Sequence, residues 1–174
     1  MKNTIPFILF ALISIHSSGQ LAVSNSGNYS NVSYLVQNVL LSGGVTVSNI
    51  TFNCTAGAYG FFNGVNANLG LDSGIVLTSG SITNAVGPNM QPDITTANGS
   101  SYSDPDLTAI EPSATNDVCI LEFDFIPNFD TVVFEYVFGS DEYPEFVNSL
   151  FNDAFGFFPV LCGCLKKVNK NLRF

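Results

Sequence analysis

Period-2 alternation dominates the second half of the chain. From Val118 to Ile126 (VCILEFDFI), Cys119, Leu121, Phe123 and Phe125 fall on one side, and Glu122 and Asp124 on the other. Pro127-Asn128 turns the chain into another such run, in which Val132, Phe134, Tyr136 and Phe138 alternate with Val133, Glu135 and Val137. Alternation carried by β-branched and aromatic residues predicts half-buried strands. Gly139-Ser140 stops the second run, and Ala154 to Phe158, after Asn152-Asp153, predicts a further strand. Between the last two lies a loop with Asp141, Glu142 and Glu145 around Tyr143-Pro144. Loops held by a rigid sheet are where binding residues concentrate. A solvated acidic connection is the plainer reading, and Tyr143-Pro144 also suits a structural turn, with the ring packed on Phe146.

Upstream the pattern is mixed. Gln20 to Asn31 is polar. Ser33 to Leu41 (SYLVQNVLL) places Leu35, Val36, Val39 and Leu40 on a helical stripe ended by Gly43-Gly44, and predicts one short helix with a core-facing side. Val45–Asn53, Tyr59–Phe62 and Gly74–Ser79 predict strands bounded by Asn, Gly and Asp turns. Ala85 to Pro112, rich in Asn, Pro, Ser, Thr and Gly, predicts a long loop, functional or mobile. Ten of the sixteen Phe lie between Phe123 and Phe158, so this half supplies most of the core. The fold class expected is all-β, an antiparallel sandwich or jelly roll with one N-terminal helix.

Composition changes this picture in three ways. Met1 to Gly19 combines Lys2, an apolar core from Ile5 to Ile15 and small residues at the end. It reads as a secretory signal peptide cleaved before Gln20, its core being short for a membrane anchor. No later stretch is apolar enough to span a membrane.

Charge is the second. All fourteen acids lie between Gln20 and Phe158, a segment with no Lys, Arg or His, and the four remaining cations crowd into the last nine residues. Nothing in that body neutralises phosphate, so nucleic acid is excluded as its partner. Each carboxylate there is solvated, bonded to backbone N–H, or bound to a metal. Bound Ca²⁺, which takes carboxylate and carbonyl oxygens, would offset the repulsion; a plain acidic surface is the alternative. The candidate ligands are Asp104 and Asp106 in the SDPD segment, with Asp141, Glu142, Glu145 and Asp153. Their spacing is not that of an EF-hand.

Cysteine is the third. Cys54 and Cys119 sit at predicted strands, and a secreted chain permits a disulfide between them as readily as two buried thiols. Cys162 and Cys164, without a neighbouring His, make a poor zinc signal.

The missing cations also narrow the chemistry. Without His or Lys in the body there is no Ser-His-Asp or Cys-His catalysis, no His-ligated zinc and no cationic oxyanion clamp. No phosphate-binding glycine motif occurs. The enzyme reading left is a glycan hydrolase using carboxylate pairs, Glu142 with Glu145 or Glu122 with Asp153. The better-supported class is a binding module, with Tyr102 and Tyr143 as aromatic contacts for an unidentified glycan or protein on a surface. Asn28, Asn31, Asn49, Asn53 and Asn98 stand in N-x-[ST] sequons, which an Asn/Ser/Thr-rich chain produces by chance.

The segment FGSDEYPEFVNSLFNDAFGFF resembles the hallmark of the choice-of-anchor L domain, and LVQNVLLSGGVTVSNITF, FFNGVNANLGLDSGIVLTSG, NAVGPN and TNDVCILEFDFIPNFDTVVFEYVFGS match it as well. The resemblance covers Tyr34 to Phe158. It implies an exported protein of gliding-type Gram-negative bacteria, in which the domain is followed by one of several C-terminal anchors or sorting signals. Adhesion is the role such company suggests, and no catalytic residues come with the resemblance. Similar domains continue past Phe158 with a glycine-rich turn and more strands, where this chain has VLCGCLKKVNKNLRF. The expected organisation is a leader (1–19), a polar lead-in (20–32), an incomplete β domain (33–158) and an aberrant basic tail (159–174). A frameshift or truncation accounts for such a break and would leave a non-functional fragment, and a genuine basic tail is the alternative.

Overall fold

The computed structural model describes residues 19–41, 45–91, 94–113, 116–128, 130–140, 143–150, 152–161 and 170–173. Residues 1–18, which cover all but the last residue of the expected leader, Gly43-Gly44, Asp141, Glu142 and the tail cysteines lie outside them.

The fold is all-β, built on two antiparallel sheets. Strands β1 (Ala22–Ser24), β3 (Tyr59–Asn63) and β4 (Ser73–Leu77) form one, in the order β1-β3-β4. Strands β2 (Val45–Asn53), β5 (Ile120–Pro127), β6 (Val160–Leu161) and β7 (Lys170–Arg173) form the other, in the order β2-β5-β7-β6. β1 falls in the lead-in, where three residues carry too little alternation to be read as a strand. It is defined by its partner: Ala22 pairs with Asn63 and Ser24 with Phe61. The approach is close at Gly60, where a Cβ would meet the Ser24 carbonyl oxygen at 2.5 Å, so only glycine fits.

β5 is the centre of the second sheet. Its alternation survives intact: Leu121, Phe123 and Phe125 are buried, and Glu122 and Asp124 stand on the opposite face. β2 pairs with it from Val45↔Pro127 to Asn53↔Ile120, with a bulge between Ser48 and Thr51. Asn49 sits in that bulge at φ 51°, a backbone region Asn tolerates better than most residues. Its Nδ2 donates to Asp124 Oδ2 at 2.6 Å, and Thr51 Oγ1 donates to Glu122 Oε2 at 3.1 Å. Two carboxylates of the central strand are thus met by neutral donors from β2, in a body without cations.

The predicted helix forms at Val32–Leu35 (α1) and continues as a π-helical turn, Val36–Leu40. Asn31 caps it by accepting from the Tyr34 N–H, which satisfies one of the orphan donors of the first turn. Its stripe buries Leu35 and Val36, and Val36 joins Leu121, Phe123 and Phe125 in the core. Ile75 and Leu77 of β4 pack on the same cluster, so the two sheets meet there.

Cys54 and Cys119, one step beyond the Asn53↔Ile120 pair, form a disulfide with a Cα–Cα distance of 4.3 Å. The bond closes a loop across 65 positions of sequence, for which the chain-entropy model gives about 4 kcal/mol.

Two expectations need correction. The segment Ala85 to Pro112 is not only loop, because it contains a second helix, α2 (Pro105–Ile110). Its start was written in the sequence as Asp-Pro: a carboxylate at the N-cap and proline at the first helical position. The alternating runs Val132–Phe138 and Ala154–Phe158 are not strands either, for neither joins a hydrogen-bonded ladder among the described residues. Alternation specifies which face is buried, and a ladder also needs a neighbour in register.

Candidate recognition surface

The two runs without a ladder nevertheless lie against each other. Ring pairs step along them in antiparallel order: Phe134 with Phe157 (5.8 Å between centroids), Tyr136 with Phe155 (5.3 Å) and Phe138 with Phe155 (6.1 Å). Ser140 Oγ donates to Asp153 Oδ2 one step further out. The arrangement is an aromatic hairpin held by side chains.

Its base is anchored. Phe134 meets Phe125 edge-on at 6.1 Å, and Val132, Phe134 and Phe157 pack on the buried cluster of β5. Gly156 is buried near α2, and a Cβ there would approach Leu107 Cδ2 at 3.4 Å. Away from the base the rings emerge: Tyr136 and Phe138 are exposed although each keeps a ring partner. On the opposite side Val133 is 77% exposed and Val137 52%, with exposed Glu135 between them.

The tip, residues 143–150, is a run of turns. The Tyr143-Pro144 peptide is cis, Val147 N–H donates to the Pro144 carbonyl at 3.4 Å, and Ser149 N–H donates to the Phe146 carbonyl at 2.9 Å. Tyr143 is 72% exposed and Leu150 89%. Exposed apolar side chains grouped in this way make the hairpin a candidate contact surface.

The candidate acids have separate surroundings. Asp104 is buried and caps α2, its Oδ1 accepting from Asp106 N–H at 2.8 Å and Leu107 N–H at 3.2 Å. Asp106 lies in the first turn of that helix, where a carboxylate favours the exposed N–H groups. Asp153 is held by Ser140, and Glu145 stands exposed in the tip. Asp141 and Glu142 lie outside the described residues, and with Glu142 goes one of the two carboxylate pairs. Of the other pair, Glu122 is on β5 and Asp153 on the hairpin's return arm. Among the described residues no three Asp, Glu, His or Cys form a group able to hold a metal. Tyr102 is exposed; its carbonyl accepts from buried Val118 and ties the irregular segment to the start of β5.

Glu111, at the C-terminal end of α2, is a carboxylate the sequence did not single out. Ser113 donates to its Oε1 through its hydroxyl (2.7 Å) and its N–H (3.1 Å). The hydroxyl bond first, then the backbone bond, lowers the Glu111 pKa from its ordinary value.

The body is all-β and disulfide-linked, and it carries an exposed aromatic hairpin. The choice-of-anchor L domain family model matches residues 22–171, and the chain belongs to that family. The match begins at β1 and runs past Phe158 into β7, beyond both ends of the Tyr34 to Phe158 stretch whose motifs resemble the family. No curated protein and no solved structure shows a significant match to the chain. The family is not an enzyme family, and it implies an extracellular or cell-surface protein. No helix among the described residues is long and apolar enough to cross a membrane.

Proposed function

We propose that the chain is the recognition part of an exported surface protein, directed outward by Met1–Gly19 and contacting a glycan or protein through the 131–158 hairpin. The observation that supports it is the division within the hairpin itself. Phe134 and Phe157 fix its base in the core, while Tyr136, Phe138, Tyr143 and Leu150 are left to solvent. Aromatic side chains give large contact area for little lost conformational freedom, which is why they dominate recognition sites.

The test is retention of beads coated with residues 20–174 on a printed array of bacterial polysaccharides and surface proteins. Tyr143→Ala and Leu150→Ala should each weaken retention about tenfold or more, the range of an aromatic or aliphatic anchor, without moving the melting temperature. Retention unchanged in both variants would remove the hairpin as the contact.

A further inference from the structure

The side of the hairpin arm that carries Val133, Glu135 and Val137 has a pattern of its own. The arm's other face already has ring partners within the hairpin: Phe134, Tyr136 and Phe138 each meet Phe155 or Phe157, although Tyr136 and Phe138 remain exposed. Val133 and Val137 are exposed with an exposed carboxylate between them. The backbone of residues 131–140 joins no ladder among the described residues, although its side chains alternate as in a strand. A segment of this kind presents peptide N–H and C=O groups to any chain that lies beside it.

We infer that this arm takes up an extended strand of another polypeptide, whose facing side chains read apolar, cationic, apolar opposite Val133, Glu135 and Val137. The inference rests on the reading of the hairpin as the contact surface and names the class of its partner. Peptide groups supply the ladder, and the facing side chains set the register. Charge selects the cation. Asp130, Glu135, Glu145 and Asp153 are the charged groups described along the hairpin, and no Lys, Arg or His occurs between residues 20 and 158.

A second copy of this chain does not fit. Antiparallel pairing of two such arms about their centres brings Glu135 against Glu135, and like charges directly opposite are unfavourable. The chain's own apolar–cation–apolar sequence, Val168, Lys170 and Leu172, belongs to a segment whose Lys170–Arg173 stretch is already paired with β5.

The probe is a labelled peptide, Ser-Val-Thr-Lys-Thr-Val-Ser, titrated by fluorescence anisotropy against residues 20–174. Two further peptides carry N-methyl groups on alternate residues, in opposite phases. One phase should lose binding about tenfold or more while the other keeps it, because an added strand uses every second N–H. Replacing the peptide Lys by Glu should weaken binding about fivefold, and Glu135→Lys in the protein should reverse that preference. Equal binding by both methylated phases would leave only non-specific attraction to an acidic protein and overturn the inference. So would indifference to the peptide's charge, or self-association of the protein without peptide. Array retention that depends on Tyr143 with no peptide binding would reject strand addition and leave the hairpin as the recognition surface.

Discussion

β5 and the arm from Val132 to Phe138 carry the same kind of pattern and meet different ends. Both alternate apolar with acidic or β-branched residues, and both send aromatic rings towards Val36, Phe123 and Phe125. β5 has β2 on one side, joined over seven register pairs and a disulfide, and β7 on the other. Among the described residues the arm has no ladder partner: it is held by the rings of the return segment, by the Ser140–Asp153 bond and, at its base, by packing on Phe125. Side-chain pattern therefore decides orientation, and backbone partners decide whether an oriented segment becomes a strand.

Hydrogen exchange would break or sharpen this contrast most directly. Amides of residues 121–126 should exchange more slowly than those of 133–138 by on the order of a thousandfold or more, since one set opens only with the core. Similar rates would mean that the arm is as firmly paired as β5. Next in size is the pair Phe123→Ala and Phe138→Ala. The first removes a fully buried ring and should cost about 3–5 kcal/mol in denaturant unfolding. The second removes a half-exposed one and should cost less than about 1.5 kcal/mol. The double change Cys54→Ser, Cys119→Ser should cost about 2–4 kcal/mol and leave the arm's exchange unaltered.

Smaller effects test the helix between the two regions. Asp104→Ala removes the cap of α2 and should cost about 1 kcal/mol, whereas Asp104→Asn keeps an acceptor and should cost less. The smallest is Glu111. Its pKa is lowered in the folded chain, so the unfolded chain holds that proton more tightly. Its contribution is present above the unfolded pKa and disappears as pH falls through the folded one. Glu111→Gln should therefore lower the melting temperature slightly at neutral pH and leave it unchanged below the folded pKa, which flattens the acid limb of the profile.

Much of the fold was legible because the residues state it locally. VCILEFDFI marks β5, SYLVQNVLL marks the helix, and the turns around Asn63-Gly64 and Asp72-Ser73-Gly74 bound β3 and β4. What escaped depends on partners distant in sequence. β1 exists because Phe61, Phe62 and Asn63 line up beside it, and no three-residue window reveals that. Its charge and its place beside Asp106 make Asp104 a candidate metal ligand in the sequence, and the structure adds a second role. Its burial and its two backbone donors make it a helix cap, a role that Asp before Pro also announces. In the candidate site the rings are visible in sequence. Their split between core and solvent is not, since both groups belong to one alternating run and only packing separates Phe134 from Phe138.

The disulfide has a further consequence, for the durability of the chain outside a cell. The irregular stretches 87–91 and 94–103 lie inside the loop that Cys54–Cys119 closes. A protease that cuts there makes two polypeptides that stay one molecule: β1 to β4 on one side of the nick remain covalently joined to α2, β5 and the hairpin on the other. Such a nicked chain would run as a single species until a reductant separates its halves, so a cut in either stretch need not cost it the hairpin.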